Sequence, residues 1–198
     1  MILKNQNLTK FSADIDIDFA DRDHVLKLIQ HIPASMKTEN EWTKHNTGVY
    51  VNPIPKHPFL GFSSIDYQFA EDLGYVKLDL LNVHVYSLVR DEAHLNSLLS
   101  TEPNWSKLND ADFVQKIIHI NNHNALIDQM PEPIDSITRM AMFLSIIRPA
   151  KRHLVGLPWK QVAATVWERP TNNSYFFKKS HAISYAHLVA VHMNLIAS

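Results

Sequence analysis

Apolar and polar residues alternate in the first half of the chain and follow a helical spacing in the second. The alternation from Lys10 to Phe19 predicts a β-strand. "GYVKLDLLNVHVYSLV" predicts another strand, and "TGVYVNPIPKHP" predicts a short strand that leads into a loop. "DRDHVLKLIQHIP" has apolar residues at helical spacing, so it predicts a helix capped by Asp21 or Asp23 and stopped by Pro33.

After Arg90 the apolar spacing becomes helical. The segments with this pattern are "DADFVQKIIHI", "IDSITRMAMFLSII", "WKQVAATVW" and "SHAISYAHLVAVHMNLI". Proline- and glycine-containing breaks such as "MPEP", "GLP" and "ERPTNNS" separate them. We therefore predict an α+β fold with a mixed sheet and helices, in which residues 1–90 form a first lobe and residues 91–198 a helical lobe packed on it.

Composition excludes several classes of protein. The chain has 198 residues, 45% hydrophobic and 20% charged, which is an ordinary globular balance. The absence of cysteine excludes disulfides and thiolate zinc sites, and four glycines are too few for a P-loop or a dinucleotide-binding loop. The start lacks the apolar core of a signal peptide, and no apolar run approaches the roughly 20 residues of a membrane span. We therefore expect a cytoplasmic protein without a membrane partner.

Charge is distributed unevenly along the chain. The formal net charge is -1, yet 19 of the 20 acidic residues precede Ser136. This asymmetry suits a protein that holds cations at one place and a polyanion nearby, although charge can also segregate by chance. The basic residues after Ser136 are Arg139, Arg148, Lys151, Arg152, Lys160, Arg169, Lys178 and Lys179.

The stretch "ADIDIDF" places three carboxylates on one face of the first predicted strand. Asp14, Asp16 and Asp18 alternate, so they share a face, while the apolar residues between them (Ile15, Ile17 and Phe19) are expected to face the core. Such a row can be the solvated face of an edge strand, where charge discourages aggregation. It can also hold divalent cations, because close carboxylates suit Mg²⁺ or Mn²⁺.

A fourth carboxylate, Asp79, lies within the apolar run "VKLDLL". Burying it without a partner costs several kcal/mol in order of magnitude, so the position calls for compensation. Carboxylates from two neighbouring strands can hold two metals about 4 Å apart, the arrangement used for in-line phosphoryl displacement. "HINNH" offers His119 and His123 as a helical zinc pair, but no third ligand is evident, which disfavours zinc.

Five segments resemble elements of the C-family replicative DNA polymerases, the family of the bacterial DNA polymerase III alpha subunit. "ADIDIDFADRDHVLKLI" resembles the Pro-Asp-x-Asp-x-Asp-Phe motif and the following helix. "KHNTGVYVNPIP" is similar to the Lys-His-x-x-Gly-Val segment, and "DLGYVKLDLLNVHVY" to the strand with the third catalytic aspartate. "IDSITRMAMFLSIIRPAKR" resembles the helix ending in Arg-Pro-Gly-Pro, and "YFFKKSHAISYAHLVAVHMNL" the Phe-Asn-Lys-Ser-His-x-x-x-Tyr element. The order matches that of the family.

The resemblance implies a polymerase-β-like nucleotidyltransferase palm followed by a small helical fingers-like lobe. It implies that Asp14, Asp16 and Asp79 are catalytic and hold two Mg²⁺ ions, with Mn²⁺ as an alternative and Asp18 as a further metal ligand. It also places basic residues near DNA or the incoming nucleotide. These are Lys44, Arg148, Lys179 and His181, with Lys151, Arg152 and Lys178 as phosphate contacts from the same elements.

The departures from the family pattern are substantial. The glycine- and serine-rich triphosphate loop has no counterpart, and the phosphoesterase, thumb and clamp-binding regions are missing. The proline of the first motif is Ala13, and the Arg-Pro-Gly-Pro element reads Arg148-Pro149-Ala150-Lys151. These departures disfavour a processive replicase, and the small size suggests a phage or mobile-element protein.

Three functions therefore stay open from the sequence. The first is a small DNA polymerase or nucleotidyltransferase that adds nucleotides to a 3′ hydroxyl, with primer–template DNA and nucleoside triphosphates as partners. The second is a catalytically silent DNA-binding or replisome-interfering protein, whose partners include other replication proteins. The third is a two-metal nuclease that uses the same carboxylates to activate water.

Overall fold

The computed structural model describes residues 15–169 and 177–197. The chain divides into two compact units, the N-terminal unit Met1–Ser87 and the helical unit Leu88–Ser198. The first residues of the predicted strand, including Asp14, lie outside the described residues.

A four-stranded mixed sheet forms the centre of the N-terminal unit. Its strands are β1 (Ile15–Phe19), β2 (Ile32–Lys37), β3 (Trp42–Tyr50) and β4 (Leu78–Asn82), in the order β1-β4-β3-β2. β1 is parallel to β4, whereas β3 is antiparallel to both β4 and β2. The predicted α+β class with a mixed sheet is therefore confirmed, while a polymerase palm stays a prediction.

Helix α1 (Arg22–Leu28) begins as predicted but ends early. Asp21 is the N-cap, since its side chain accepts a hydrogen bond from the backbone N–H of His24 (3.0 Å). The predicted extension to Pro33 is wrong, because Ile32 pairs with Tyr50 and begins β2. β2 is an edge strand whose register shifts next to Pro33, and such a position tolerates a residue without an N–H.

The apolar residues of β1 are less buried than predicted. Ile15 and Ile17 were expected to face the core, but they are 39% and 36% exposed, and Phe19 is half-buried. Among the described strands, β1 has β4 as its one neighbour, which leaves much of its apolar face uncovered by them.

The core of the N-terminal unit is small. Helix α2 (Tyr67–Asp72) packs against β2, and a 3₁₀ segment, His84–Leu88, follows β4. A small core leaves little hydrophobic stabilisation in reserve, so single polar interactions carry a larger share of stability. One cluster of buried core residues comprises Ala34, Tyr50, Ile54 and Ala70, and the other buried apolar residues described in the unit are Val49, Phe62, Leu80, Val83 and Val85.

The helical unit contains a much larger core built around two helices. Helix α6 runs from Ile137 to Ile146, with Ser136 as its N-cap, and Met140–Ile146 are all buried. It packs against α8 (Lys179–Ala197). The other elements are α3 (Glu92–Ser100), α4 (Ala111–Val114), α5 (Asn124–Ile127), α7 (Trp159–Thr165) and 3₁₀ segments at Trp105–Asn109 and Pro149–Leu154.

The predicted helices α6, α7 and α8 are confirmed, but the one predicted over "DADFVQKIIHI" is wrong beyond its first turn. The chain leaves α4 after Val114, and His119 adopts a left-handed conformation with φ 67°. A residue other than glycine rarely adopts a positive φ, and such a backbone conformation does not fit an α-helix. The segment after Val114 therefore continues as turns.

Within residues 15–169 and 177–197, no helix combines the length and apolar character needed to cross a membrane.

Candidate functional site

The parallel pairing of β1 with β4 brings two predicted site residues together. Asp16 is the direct partner of Asp79 in the register of the two strands. Directly paired residues of neighbouring strands project to the same face, and the strands lie about 4.8 Å apart. We call Asp16, Asp18 and Asp79 the carboxylate site. The third predicted catalytic residue, Asp14, lies outside the described residues.

Asp18 lies on the same face of β1 but is held by a different partner. Burial raises the pKa of the Asp18 carboxyl, the negative charge of Asp16 raises it further, and a hydrogen bond from Tyr86 opposes the shift. Burial and the charge of Asp18 in turn raise the pKa of the Tyr86 hydroxyl. Asp18 is therefore bonded to the 3₁₀ segment that follows β4.

The Asp79 carboxylate is nearly buried and both of its oxygens have partners. The residue is 8% exposed. The Lys77 ammonium forms an ion pair with Oδ2, and the Thr47 hydroxyl donates a hydrogen bond of 2.7 Å to Oδ1. The compensating positive charge that the sequence predicts at Asp79 is thus supplied by Lys77, which directly precedes β4.

An irregularity in the pairing of β2 with β3 places two more side chains beside Asp79. Pro33 pairs with Val49, but Ser35 pairs with Lys44, so extra β3 residues lie between the two pairs. Such bulges re-aim side chains and often lie next to active sites. Here they bring Thr47 to Asp79 and place His45 Nδ1 3.8 Å from Asp79 Oδ1.

His45 acts as a hydrogen-bond acceptor at this site. Its Nδ1 accepts the backbone N–H of Gly48 (2.9 Å) and of Thr47 (3.3 Å). Burial lowers the pKa of His45, and the nearby Lys77 ammonium lowers it further, against the opposing effect of Asp79. A neutral His45 leaves Lys77 as the cation that balances Asp79.

A second cation, Arg22, lies close to the same part of β3. Its guanidinium donates to the backbone carbonyl of Thr47 (3.4 Å) and lies 3.8 Å from the Asp23 carboxylate. The side chain is only 14% exposed, and its Nε is buried without a hydrogen-bond partner. Lys77 thus supplies positive charge at Asp79, and Arg22 contacts Thr47, the residue that donates to Asp79, whereas Lys44, the predicted contact on β3, is exposed.

The donor chemistry at the carboxylate site fits a hard divalent cation. Carboxylate oxygens are the ligands that Mg²⁺ prefers. In this structure, the positively charged Lys77 ammonium contacts the Oδ2 oxygen of Asp79. Among residues 15–169 and 177–197, however, no three histidine, cysteine or acidic side chains group closely enough to hold a metal ion. A metal site here therefore needs a further ligand, and Asp14 is the predicted one.

The predicted basic residues Arg148 and His181 come together in the helical unit through Phe177. The Arg148 guanidinium lies 5.0 Å from the centre of the Phe177 ring, and the His181 ring stacks on that ring at 6.1 Å. Tyr185 stacks on Phe177 at 5.3 Å and contacts His119 edge-on at 4.4 Å. We call these five residues the aromatic–basic cluster.

Arg148 carries a charge that the acidic residues of this unit do not balance. The ion pairs described in the helical unit join Arg139 to Glu132 (2.8 Å) and to Asp135 (3.0 Å). Arg148 Nε is instead buried without a hydrogen-bond partner. The positive charge also contributes to the low pKa of His119, which burial chiefly lowers to about 4.

The other predicted phosphate contacts have separate locations. Lys151 is 7% exposed, and its ammonium donates to the Thr165 carbonyl at the end of α7 (2.6 Å), so it acts within the fold. Arg152 is exposed and donates to the Ile147 carbonyl (2.7 Å). Lys178 and Lys179 are both exposed, and the Lys179 ammonium lies 5.9 Å from the Trp167 ring centre.

The histidines considered as a zinc pair do not share a helix. His119 and His123 lie in the turns between α4 and α5, so the spacing of four does not place them on one helical face. His119 Nε2 is buried without a hydrogen-bond partner, and its ring packs on Tyr185.

A cavity of about 580 Å³ lies elsewhere in the helical unit. Trp105, Ile127 and Ile134 form apolar parts of its wall, and Glu132 and Asp135 are among its polar residues. None of the predicted site residues lines it, so the cavity is separate from the aromatic–basic cluster.

Sequence reasoning missed several residues that the structure places at these sites. Lys77 had a signal, because it is a basic residue only two positions before Asp79. His45 also had a signal, since it is the histidine of the segment that resembles Lys-His-x-x-Gly-Val, whereas Thr47 had none, because a strand irregularity positions it. The position of Arg22 depends on how distant segments pack, and so does the contact of His119, which the sequence offered only as a zinc ligand, with Tyr185.

Comparisons with known proteins find no match: no protein-family model fits the chain, and neither the curated proteins nor the solved structures contain a similar protein.

Proposed function

We propose that the N-terminal unit carries a metal-dependent phosphoryl-transfer centre that adds nucleotides to a 3′ hydroxyl. The observation that carries the proposal is the register of β1 and β4, which pairs Asp16 directly with Asp79. Like charges on adjacent strands repel, so their direct pairing is favourable only when cations compensate them. Asp14, Asp16 and Asp79 would hold Mg²⁺, which when bound would activate the hydroxyl and neutralise the triphosphate.

The N-terminal unit also offers cations for a triphosphate. The family's glycine- and serine-rich loop has no counterpart in this chain, so side chains must supply the positive charge. Lys77 lies at Asp79 and Arg22 lies against Thr47, and both side chains are largely buried. An arginine is suited to bind a phosphate, because its planar guanidinium donors match phosphate geometry.

The helical unit would bind the nucleic acid. Arg148 lacks an acidic partner among the described ion pairs, and Lys178 and Lys179 are exposed near the start of α8. Lysine and arginine contacts to phosphates supply most of the sequence-independent affinity for DNA. Aromatic rings such as that of Phe177 strengthen such a site when arginine stacks on them.

A second function, DNA binding without turnover, is favoured by a specific observation. Lys77 and Thr47 already satisfy both oxygens of Asp79, so this carboxylate is compensated without a metal. A protein that kept the shape but not the chemistry would show this internal pairing. The nuclease alternative uses the same carboxylates and differs only in the attacking group.

Incubation of the full chain with an end-labelled primer–template separates the three functions. The reaction is run with Mg²⁺, with and without deoxynucleoside triphosphates, for the wild type and Asp16→Asn. Glu41→Gln, an exposed carboxylate in the β2–β3 turn, is the matched control. Triphosphate-dependent lengthening that Asp16→Asn abolishes and Glu41→Gln retains supports the proposal.

Other outcomes of this assay overturn the proposal. Metal-dependent shortening without triphosphates identifies a nuclease. Unchanged primer, together with a mobility shift of the same DNA, identifies a binding protein without turnover.

A further inference from the structure

The cavity of the helical unit combines buried apolar residues with acidic ones. Its volume of about 580 Å³ lies within the range of roughly 300–1,000 Å³ that is usual for small-molecule sites. Its apolar wall includes Trp105, Leu108, Ile127 and Ile134, which are buried in the core of this unit. Among the described lining residues none is basic, and three are acidic: Asp128, Glu132 and Asp135. The cavity therefore offers a ligand both apolar contact and negative charge.

The negative charge at this cavity is only partly balanced. The Arg139 guanidinium pairs with Glu132 Oε2 (2.8 Å) and with Asp135 Oδ2 (3.0 Å). Asp128 Oδ2 accepts a hydrogen bond from the Asn124 amide (3.4 Å). One guanidinium against three carboxylates leaves a formal excess of two negative charges. Among the hydrogen bonds and ion pairs of the described residues, none uses the second oxygen of any of these carboxylates.

The segments that line the cavity are held in place by the fold. The Trp159 indole N–H donates to the backbone carbonyls of Glu132 (3.1 Å) and Pro133 (3.2 Å). Pro131 and Pro133 each fix a backbone φ angle of the same segment. The 3₁₀ segment Trp105–Asn109 packs against α5. A site that is formed before its ligand arrives loses less conformational entropy on binding.

From this geometry we propose that the cavity of the helical unit binds a small aliphatic polyamine. Its methylene chain would contact the apolar wall, and its ammonium groups would donate charge-assisted hydrogen bonds to the second oxygens of the carboxylates. A ligand with two or more positive charges matches the excess of two negative charges, which a single ammonium does not. The Trp105 ring adds to the attraction, because an indole is the side chain that attracts cations most strongly. This binding site is independent of the phosphoryl-transfer centre proposed for the N-terminal unit.

Calorimetric titrations of diamines into the full chain at low ionic strength test the inference. Cadaverine and propanediamine both carry two ammonium groups, but cadaverine has two more methylenes between them. We expect cadaverine to bind at least about threefold more tightly, because the additional methylenes contact the apolar wall. Asp128→Asn removes one of the excess charges and should weaken cadaverine binding about fivefold. Glu92→Gln, at an exposed carboxylate of α3 outside the cavity, is the matched control and should bind like the wild type.

A spectroscopic readout at the cavity itself keeps the test valid if Asp128→Asn does not fold. In two-dimensional NMR spectra of the wild type, cadaverine should shift the indole N–H signal of Trp105. The signal of Trp42, in the N-terminal unit, should stay unchanged. An unshifted Trp105 signal, equal affinities of the two diamines, or equal losses in Asp128→Asn and Glu92→Gln would each overturn the polyamine site.

A ligand with a single ammonium separates a free polyamine from the lysine side chain of a partner protein. Nα-acetyl-lysine amide carries one positive charge at the end of four methylenes, so it should bind at least about fivefold more weakly than cadaverine. Binding as tight as that of cadaverine would assign the cavity to a lysine of a partner and overturn the polyamine. Either result leaves the phosphoryl-transfer proposal standing, because that proposal concerns residues of the N-terminal unit.

Discussion

The ion pair between Lys77 and Asp79 should contribute strongly to the stability of the N-terminal unit. Removing one partner of a buried pair costs about 3–5 kcal/mol, because the other charge is left uncompensated. The side chains of Lys77 and Asp79 are 18% and 11% exposed, so some solvent still reaches them. We therefore expect Lys77→Met to destabilise this unit by about 3 kcal/mol, the lower end of that range.

A double substitution tests whether the pair, and not the packing of either side chain, accounts for that loss. Lys77→Met combined with Asp79→Leu removes both charges and keeps apolar volume in their place. Replacing a whole buried pair by apolar groups is often close to neutral. The double variant should therefore be less destabilised than either single variant.

Native-state hydrogen exchange, resolved to peptides of β3 and β4, measures the effect within the unit concerned. Peptides from α6 in the helical unit serve as an internal reference, and Lys44→Met should stay within about 0.5 kcal/mol of the wild type, as surface substitutions usually do. The reasoning is refuted if Lys77→Met also stays within that margin, or if the double variant loses as much as the two single variants combined.

Three further predictions concern other parts of the molecule. Burial lowers the pKa of His119 from its ordinary 6.5 to about 4, so between these two pH values the unfolded chain binds a proton that the folded chain does not. The free energy of unfolding should therefore rise by about 1–2 kcal/mol, after screening, between about pH 4 and 6.5 and stay constant above that range. Thermal melts of the wild type and His119→Asn across that pH range test this. Arg148→Met should lower the slope of DNA affinity against salt by about 0.7–0.9, whereas Arg139→Met, whose charge is paired, should leave it unchanged in fluorescence anisotropy titrations. Asp21→Ala should cost about 1 kcal/mol in urea unfolding, because α1 loses its N-cap hydrogen bond; an unchanged midpoint would contradict the assigned cap.

The local sequence was sufficient to predict those elements whose formation depends on residues that are close together in the chain. The alternation in "DIDIDF" predicts a strand with Asp16 and Asp18 on one face, and Asp21 is placed correctly as a cap of α1. The apolar run around Met140 predicts α6 for the same reason. In each case the periodicity of the backbone and hydrogen bonds over a few residues decide the outcome.

Tertiary structure alone decided which of these residues meet. Asp16 and Asp79 are far apart in the chain, and only the choice of β4 as the neighbour of β1 pairs them. Thr47 reaches Asp79 because of an irregularity in β3, and Ile32 left its predicted helix because pairing with Tyr50 was available. Such choices depend on the packing and pairing free energies of the whole unit, which outweigh the small conformational preferences that a local pattern expresses.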